Sequence, residues 1–144
     1  VRRGDLEQGL WRVTLDSYFL RVIGKVQSLL PSADVHLWSS LNSTVGDVKQ
    51  YWFSKDFDRY RAKGVTVHLD DPDILDPWAN LAHADVFITS DSSFSWIAGA
   101  LNPNCVIYPG SISNPMDGWV DGMNEKRKSY DKDFATCLAL SRSG

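Results

Sequence analysis

Two short clusters of polar residues have the types and spacing that bind phosphate. Ser92 and Ser93 follow an apolar run and open a segment of helical periodicity. Hydroxyls at a helix start lie beside backbone N–H groups and the positive end of the helix dipole, which together favour an anion. Arg2 and Arg3 follow Val1, with Asp5 close behind, and two such guanidinium groups can clamp a diphosphate through bidentate hydrogen bonds. The simpler alternatives are an ordinary helix N-cap and a solvated charged terminus.

An acidic stretch follows the strand predicted at 65–69. Its carboxylates are those of Asp70, Asp71, Asp73 and Asp76. Such a group could hold a divalent cation, cap the next helix, or accept hydrogen bonds from the donors of a guanine edge. Asp76 stands directly before Pro77, which is a natural capping position. The residues alone leave these roles open.

Other metal-binding residue types are sparse. His36, His68 and His83 are not at metal-ligand spacing, and each is interpreted as a structural histidine. Cys105 and Cys137 lack the paired spacing of a zinc site. Two buried thiols are favoured over a disulfide between them. We therefore expect no metal site.

Composition and missing motifs exclude several function classes. The 144 residues carry a net charge of −3 without a basic stripe, so nucleic acid is not an expected partner. The apolar runs are shorter than the roughly 20 residues of a membrane helix, so we expect no membrane span. The chain has no Gly-x-Gly-x-x-Gly fingerprint, Walker P-loop or Gly-x-Ser-x-Gly elbow, which argues against dinucleotide binding, P-loop chemistry and serine hydrolysis.

Short apolar runs alternate with segments of helical periodicity along the chain. Helices are predicted over 14–30, 55–63, 77–84, 92–101 and about 131–140, and strands over 35–38, 65–69, 85–89 and 105–108. Residues 41–54 are predicted to be irregular, and 111–144 to be less regular than the rest. The spacing suits parallel pairing, so we expect an α/β fold: one Rossmann-like, doubly wound sheet of about four strands with helices on both faces.

This fold prediction places the polar clusters. The chain is expected to form a single domain over 1–144, with ligands outside the carboxyl ends of its strands. The opening residues look like the end of a strand that begins before Val1. The sheet edge left exposed predicts pairing into a homodimer. Trp38 and Trp96 lie in regular elements and are expected to be in the core.

The order of these motifs resembles a known family. Arg2, Arg3, Gly4 and Asp5 are similar to the end of the His-x-Arg-Arg-Gly-Asp motif of GDP-fucose-dependent fucosyltransferases, most closely the α-1,2-fucosyltransferases. The stretch from Ser92 to Trp96 is similar to their Ser-Ser-Phe-Ser-Trp-Trp signature, with Ile97 in place of the second Trp. Weaker similarity at 15–19, 35–39, 76–81 and 106–109 extends the resemblance over residues 1–110.

The resemblance implies the C-terminal, Rossmann-like, sugar-nucleotide half of a two-domain glycosyltransferase of the GT-B kind. It implies transfer of fucose from GDP-fucose to a glycan hydroxyl, with inversion and without a metal. The implied partners are a nucleotide sugar, which is the donor substrate rather than a cofactor, and a glycan acceptor. On its own, such a half is expected to bind GDP weakly at best and to turn over nothing measurable. The implied location is the Golgi or endoplasmic reticulum lumen if the source is eukaryotic.

The resemblance also assigns roles to residues. Arg2 and Asp5 are the catalytic candidates: Arg2 contacts the diphosphate, and Asp5 and Arg3 support it. Asp76 is the carboxylate that reads the base, with Asp73 as its alternative. The hydroxyls near the phosphates or the fucose are those of Ser92 and Ser93. No general base is identified.

Two other functions remain open. One is a Rossmann-like nucleotide-sugar-binding or interaction module that has kept the fold and lost catalysis, with exposed tryptophans as contact residues. The other is a different nucleotide- or phosphosugar-binding protein of flavodoxin-like topology. Asn42, Ser43 and Thr44 form an N-glycosylation sequon in a predicted loop, which fits a secretory-pathway enzyme.

Overall fold

The computed structural model describes residues 2–3, 14–45, 48–110 and 114–141, and at 2–3, 42–45 and 48–51 it describes the backbone alone. The chain divides into two compact units, Val1–Ile74 and Leu75–Gly144. Each unit contains its own parallel sheet, and each is described by itself below.

The first unit holds a three-stranded parallel sheet and an antiparallel hairpin. Its elements are β1 (Arg2–Arg3), α1 (Asp16–Leu29), β2 (His36–Ser39), β3 (Asn42–Val45), β4 (Val48–Tyr51), a 3-10 turn (Ser54–Phe57), α2 (Asp58–Arg61) and β5 (Thr66–Leu69). The sheet has the order β1-β2-β5, and both pairings are parallel. The predicted parallel pairing of these strands is confirmed.

Helix α1 forms because its apolar residues recur on one face. The side chains buried from this helix are Tyr18, Phe19, Val22, Ile23 and Val26, and their i, i+3, i+4 spacing gives the apolar stripe that a sheet-facing helix needs. The predicted helix at 55–63 is divided between the 3-10 turn and α2. Gly64 follows α2 with a φ of +75°, a left-handed conformation that glycine adopts without a Cβ clash.

The prediction that residues 41–54 are irregular is wrong. Strands β3 and β4 pair antiparallel, from Asn42 opposite Tyr51 to Val45 opposite Val48. The error has a physical origin: this ribbon is built largely from polar residues, so it lacks the alternation of apolar and polar residues that marks a half-buried strand. The glycosylation sequon therefore begins a strand rather than lying in a loop.

The second unit contains the other parallel sheet. Its elements are α3 (Leu75–His83), β6 (Val86–Ile88), α4 (Ser93–Leu101), β7 (Cys105–Tyr108), β8 (Val120–Asp121) and α5 (Tyr130–Leu140). The sheet has the order β6-β7-β8, again with all pairings parallel. Strand β8 lies in the segment predicted to be less regular; its two residues are too few to show a period.

Helices cover both faces of this second sheet. A Cβ at Gly99 of α4 would lie 2.9 Å from the Trp119 ring and 3.4 Å from Val106 Cγ1, so α4 packs on the face that carries Val106. The adjacent residue Cys105 points to the opposite face and is joined to Cys137 of α5. Within this unit, helices therefore lie on both faces of the three-stranded sheet.

The disulfide corrects a sequence-based expectation. Cys105 and Cys137 were expected as two buried thiols, but they form a disulfide with Cα atoms 4.9 Å apart. Both residues are buried, as expected. The sequence alone does not show that α5 packs over β7. This packing brings together Cys105 and Cys137, which are 32 positions apart.

The structure confirms the mixed α/β class. The described strands form two parallel sheets of three strands each and one hairpin, rather than a single sheet of four. Among the described residues, no helix has the length and apolar character needed to cross a membrane.

Candidate functional site

The candidate site in the second unit lies at the carboxyl ends of its strands. Ser90 follows β6 after Thr89, Tyr108 is the last residue of β7, and Asp121 is the last residue of β8. Tyr108 and Asp121 are register partners. Because the strands are parallel, these residues share one edge of the sheet, which is where α/β proteins bind ligands.

Three serine hydroxyls organise the turn between β6 and α4. The Ser92 hydroxyl accepts a hydrogen bond from the Ser95 backbone N–H at 3.2 Å, so Ser92 is the N-cap that its position predicted. The Ser90 hydroxyl lies 2.8 Å from that of Ser95 and 3.2 Å from that of Ser92. Ser90 and Ser95 are buried, whereas Ser93, the first residue of α4, is exposed. Ser92 is half-buried, so Ser93 is the more exposed of the two serines at this helix start.

Thr89 adds a second polar feature at the same strand end. Its side chain is fully buried, and its hydroxyl has no hydrogen-bond partner. Its backbone N–H donates to the Ile107 carbonyl at 2.9 Å, which continues the pairing of β6 with β7. A buried hydroxyl without a partner costs free energy. The Thr89 hydroxyl at the end of β6 is therefore a buried polar group whose presence packing does not explain.

Tyr108 and Asp121 form the other side of this sheet edge. Burial raises the pKa of the Tyr108 phenol above its ordinary value of 10.0, the carboxylate of Asp121 raises it further, and Arg127 opposes them. Asp121 is held in place, since its Oδ1 accepts the Met123 backbone N–H at 2.8 Å. At Gly110, a Cβ would come within 3.2 Å of the same oxygen. The edge therefore presents a neutral phenol beside a fixed carboxylate.

We expect Asp121→Asn to lower the pKa of Tyr108, because the substitution removes a negative charge that opposes ionisation. The measurement is an ultraviolet titration of the phenol at alkaline pH, with Tyr108→Phe identifying its contribution. Because the folded pKa lies above the unfolded value, Tyr108 contributes stability below about pH 10, and that stability is lost as pH rises through the folded pKa. An unchanged titration in Asp121→Asn would contradict this electrostatic coupling.

An aromatic cluster lies beside this edge. The rings of Trp96 and Tyr108 each lie 6.2 Å from the ring of Trp119, and the Trp96 indole N–H donates to the Asn114 carbonyl at 3.1 Å. Both Trp38 and Trp96, which the sequence placed in the core, are only half-buried. Their polar indole edges and incomplete burial are typical of residues at the margin of a core.

The arginine cluster lies in the first unit. Arg2 and Arg3 form β1, with Arg2 in register with Trp38 and Arg3 in register with Ser39 of β2. The prediction that the opening residues are strand is confirmed at these two positions. Their side chains and all of Asp5 lie outside the described part of the chain. The predicted roles of these three residues stay predictions.

The acidic stretch divides into residues with local structural roles and exposed residues. Asp70 adopts a φ of +52°, and its Oδ1 accepts the Leu41 backbone N–H at 2.7 Å. Asp71 Oδ1 accepts the Asp73 backbone N–H at 3.1 Å. Asp76 is exposed and lies within the first turn of α3, which begins at Leu75 rather than at the predicted 77. Asp76 is therefore a residue of the helix itself and not its N-cap.

Two histidines come together in a way that the sequence does not reveal. Strands β2 and β5 place His36 Nδ1 2.9 Å from His68 Nε2, whereas His83 is exposed on α3. The signal that could have found this pair is the register of two parallel strands, which spacing along the chain does not contain. Across the described residues, no group of three or more His, Cys, Asp or Glu side chains could hold a metal ion.

Comparisons of the chain with protein-family models, with curated proteins and with solved structures found no match. The functional interpretation therefore rests on the residues and on the geometry of each unit.

Proposed function

We propose that this chain is the sugar-nucleotide-binding half of a GDP-fucose-dependent fucosyltransferase. One observation supports this most: a serine-capped helix, α4, starts at the carboxyl end of a parallel strand, at the residues that resemble the fucosyltransferase signature. Ser92 caps the helix, and Ser93 leaves an exposed hydroxyl at its positive end. This is the arrangement that binds phosphate in α/β proteins.

The strand orders support the proposed fold. In each unit the three parallel strands are added one beside the next, as β1-β2-β5 and as β6-β7-β8. Rossmann-like, doubly wound domains are built from two βαβαβ halves with this sequential order. We propose that the chain forms one Rossmann-like nucleotide-binding domain over 1–144. The first unit has the βαβαβ pattern of such a half, whereas in the described part of the second unit a helix joins β6 to β7 but none joins β7 to β8.

The proposed reaction is metal-independent transfer with inversion. A hydroxyl of the glycan acceptor attacks the anomeric carbon of fucose, the bond from that carbon to the β-phosphate oxygen breaks, and GDP leaves. Negative charge grows on the β-phosphate, and a guanidinium group and helix N-terminal N–H groups stabilise such charge. A general base accepts the hydroxyl proton.

The roles follow the resemblance. Arg2 contacts the diphosphate, with Arg3 and Asp5 in support. Ser92 and Ser93 lie near the phosphates or the fucose, and Asp76 or Asp73 accepts hydrogen bonds from guanine. Both Asp73 and Asp76 are exposed, so each is accessible to a ligand.

A lumenal location is part of the same proposal. A disulfide links Cys105 and Cys137, and disulfides persist in oxidising compartments. The sequon at Asn42 is consistent with glycosylation there.

An interaction module without catalysis is the second candidate. Its contact residues would be tryptophans that are half-buried rather than buried: Trp38, Trp52, Trp78, Trp96 and Trp119. A homodimer formed through a sheet edge stays a prediction in both cases.

The experiment that tests the function is a calorimetric titration of the chain with GDP, ADP and GMP. We expect saturable one-site binding, with GDP preferred over ADP because a carboxylate reads guanine, and over GMP because the β-phosphate supplies much of the affinity. Equal binding of the three nucleotides, or none, would contradict the proposal. The interaction module predicts that outcome.

Matched serine variants separate ligand binding from helix capping. Ser93→Ala removes an exposed hydroxyl at the helix start, so we expect weaker GDP binding with unchanged thermal stability. Ser92→Ala removes a hydroxyl and also the capping hydrogen bond that this hydroxyl accepts from the Ser95 backbone N–H. It is expected to lower the free energy of unfolding by about 1 kcal/mol. A Ser93→Ala variant that binds GDP as tightly as the wild type would remove α4 from the proposed site.

A further inference from the structure

His36 and His68 form a hydrogen-bonded imidazole pair on one face of the first unit's sheet. His36 Nδ1 lies 2.9 Å from His68 Nε2. The rings are 5.2 Å apart between centroids and 18° from parallel. Trp38, which is opposite His68 in the register, has its ring 4.7 Å from the His68 ring and 5.6 Å from the His36 ring. Successive strand residues alternate between faces, so His36 and Trp38 share a face, and the pairing of Trp38 with His68 adds the third ring.

A carboxylate fixes the outer end of this pair. Asp34 Oδ2 lies 3.2 Å from His36 Nε2. When His36 Nε2–H donates to this carboxylate, His36 Nδ1 carries a lone pair directed at His68. A carboxylate bonded to the far nitrogen of an imidazole is the outer partner that metal-binding histidines usually have, and it fixes the tautomer that leaves the metal-binding nitrogen unprotonated.

From this geometry we propose that His36 and His68 form a binding site for a divalent transition-metal ion of the Cu²⁺ or Ni²⁺ type. Two nitrogens in adjacent positions of a square-planar or octahedral complex, at metal–nitrogen distances near 2.05 Å, lie about 2.9 Å apart, whereas a tetrahedral ion such as Zn²⁺ separates them by about 3.3 Å. The observed separation, that of the hydrogen bond between the two nitrogens, is close to the first value, so the ion requires little change in the distance between them. The ion takes the place of the proton that the two nitrogens share, and water fills its remaining positions.

The surroundings permit this exchange. His36 and His68 are half-buried, so solvent and a hydrated ion reach them, and Asp34 is exposed. Each imidazole turns about its Cβ–Cγ bond to direct its lone pair at the ion, and His68 moves its proton to Nδ1. Trp38 covers one side of the pair. The site is independent of the proposed nucleotide function, since none of its residues belongs to that proposal.

The test is isothermal titration of the whole chain with Ni²⁺, supported by electron paramagnetic resonance of the Cu²⁺ complex. We expect one Ni²⁺ per chain and a Cu²⁺ spectrum with two nitrogen ligands. His36→Ala and His68→Ala are each expected to weaken binding by about tenfold or more, because the second ligand is no longer held close to the first. His83→Ala is the matched control, since it removes an exposed histidine outside the pair, and it should leave affinity unchanged.

Two further comparisons test the details. Asp34→Asn should weaken binding by about 10-fold or more while leaving one ion per chain, as expected for an outer partner. Zn²⁺ should bind more weakly than Ni²⁺. Binding that survives in a His36→Ala/His68→Ala double variant, or that is lost equally in His83→Ala, would overturn the proposal. A Cu²⁺ spectrum with a single nitrogen ligand would also overturn it. Circular dichroism verifies that each variant is folded.

Discussion

Replacing both Cys105 and Cys137 with alanine is expected to lower the melting temperature by about 10 °C. The disulfide closes a loop of 32 residues between β7 and α5. In the chain-entropy model, a loop of this size restricts the unfolded chain by about 3–4 kcal/mol, and each kcal/mol corresponds to roughly 3 °C for a chain of this length. Thermal denaturation followed by circular dichroism measures the change.

The control for this prediction is chemical reduction. Dithiothreitol should lower the melting temperature of the wild type to that of the double variant and leave the double variant unaffected, because the chain has two cysteines in all. A thiol assay on denatured, unreduced protein should find none. Two reactive thiols per chain would instead restore the sequence-based expectation of unpaired cysteines.

The second large effect is expected at Tyr60. Its ring is fully buried, packs 6.4 Å from the ring of Phe57, and its hydroxyl donates to Asp16 Oδ1 at 2.6 Å. The residue thus ties α2 to the first turn of α1. Tyr60→Ala should cost about 3–5 kcal/mol, the range for removing a buried aromatic ring.

Two variants dissect this effect by urea denaturation. Tyr60→Phe keeps the ring and removes the hydrogen bond to a half-buried carboxylate, so its cost should be about 1–2 kcal/mol. Phe53→Ala removes an aromatic ring that is exposed and should change stability by less than about 0.5 kcal/mol. If Tyr60→Ala destabilises no more than Phe53→Ala, the described core of the first unit is incorrect.

Helix α1 was predictable from the sequence because its 14 residues make several turns and show a helical period. The short strand β5 was predictable from its β-branched residues Thr66 and Val67 rather than from a period. The Ser92 cap was also predictable, since a serine directly before a helical segment has a local role. The parallel pairing followed from the spacing of strands and helices.

Features that depend on register were not predictable. The hairpin at 42–51 is mostly polar and gives no apolar period, and β8 has two residues. The Cys105–Cys137 bond and the His36–His68 contact join residues that are distant in sequence. Each requires knowing which helix face or which strand lies alongside, and this information is absent from local spacing.

The measurement that tests the central proposal most directly is a calorimetric titration of GDP into the wild type and Arg2→Ala side by side, with ADP as the competing nucleotide. A charge-assisted hydrogen-bond pair to a phosphate contributes about 1.5–3 kcal/mol, which corresponds to about 10- to 100-fold in affinity. We expect the wild type to prefer GDP and Arg2→Ala to lose affinity by that factor while remaining folded. Equal affinity of the two proteins for GDP, or no preference for GDP over ADP, would contradict the proposal that this chain holds the donor of a fucosyltransferase.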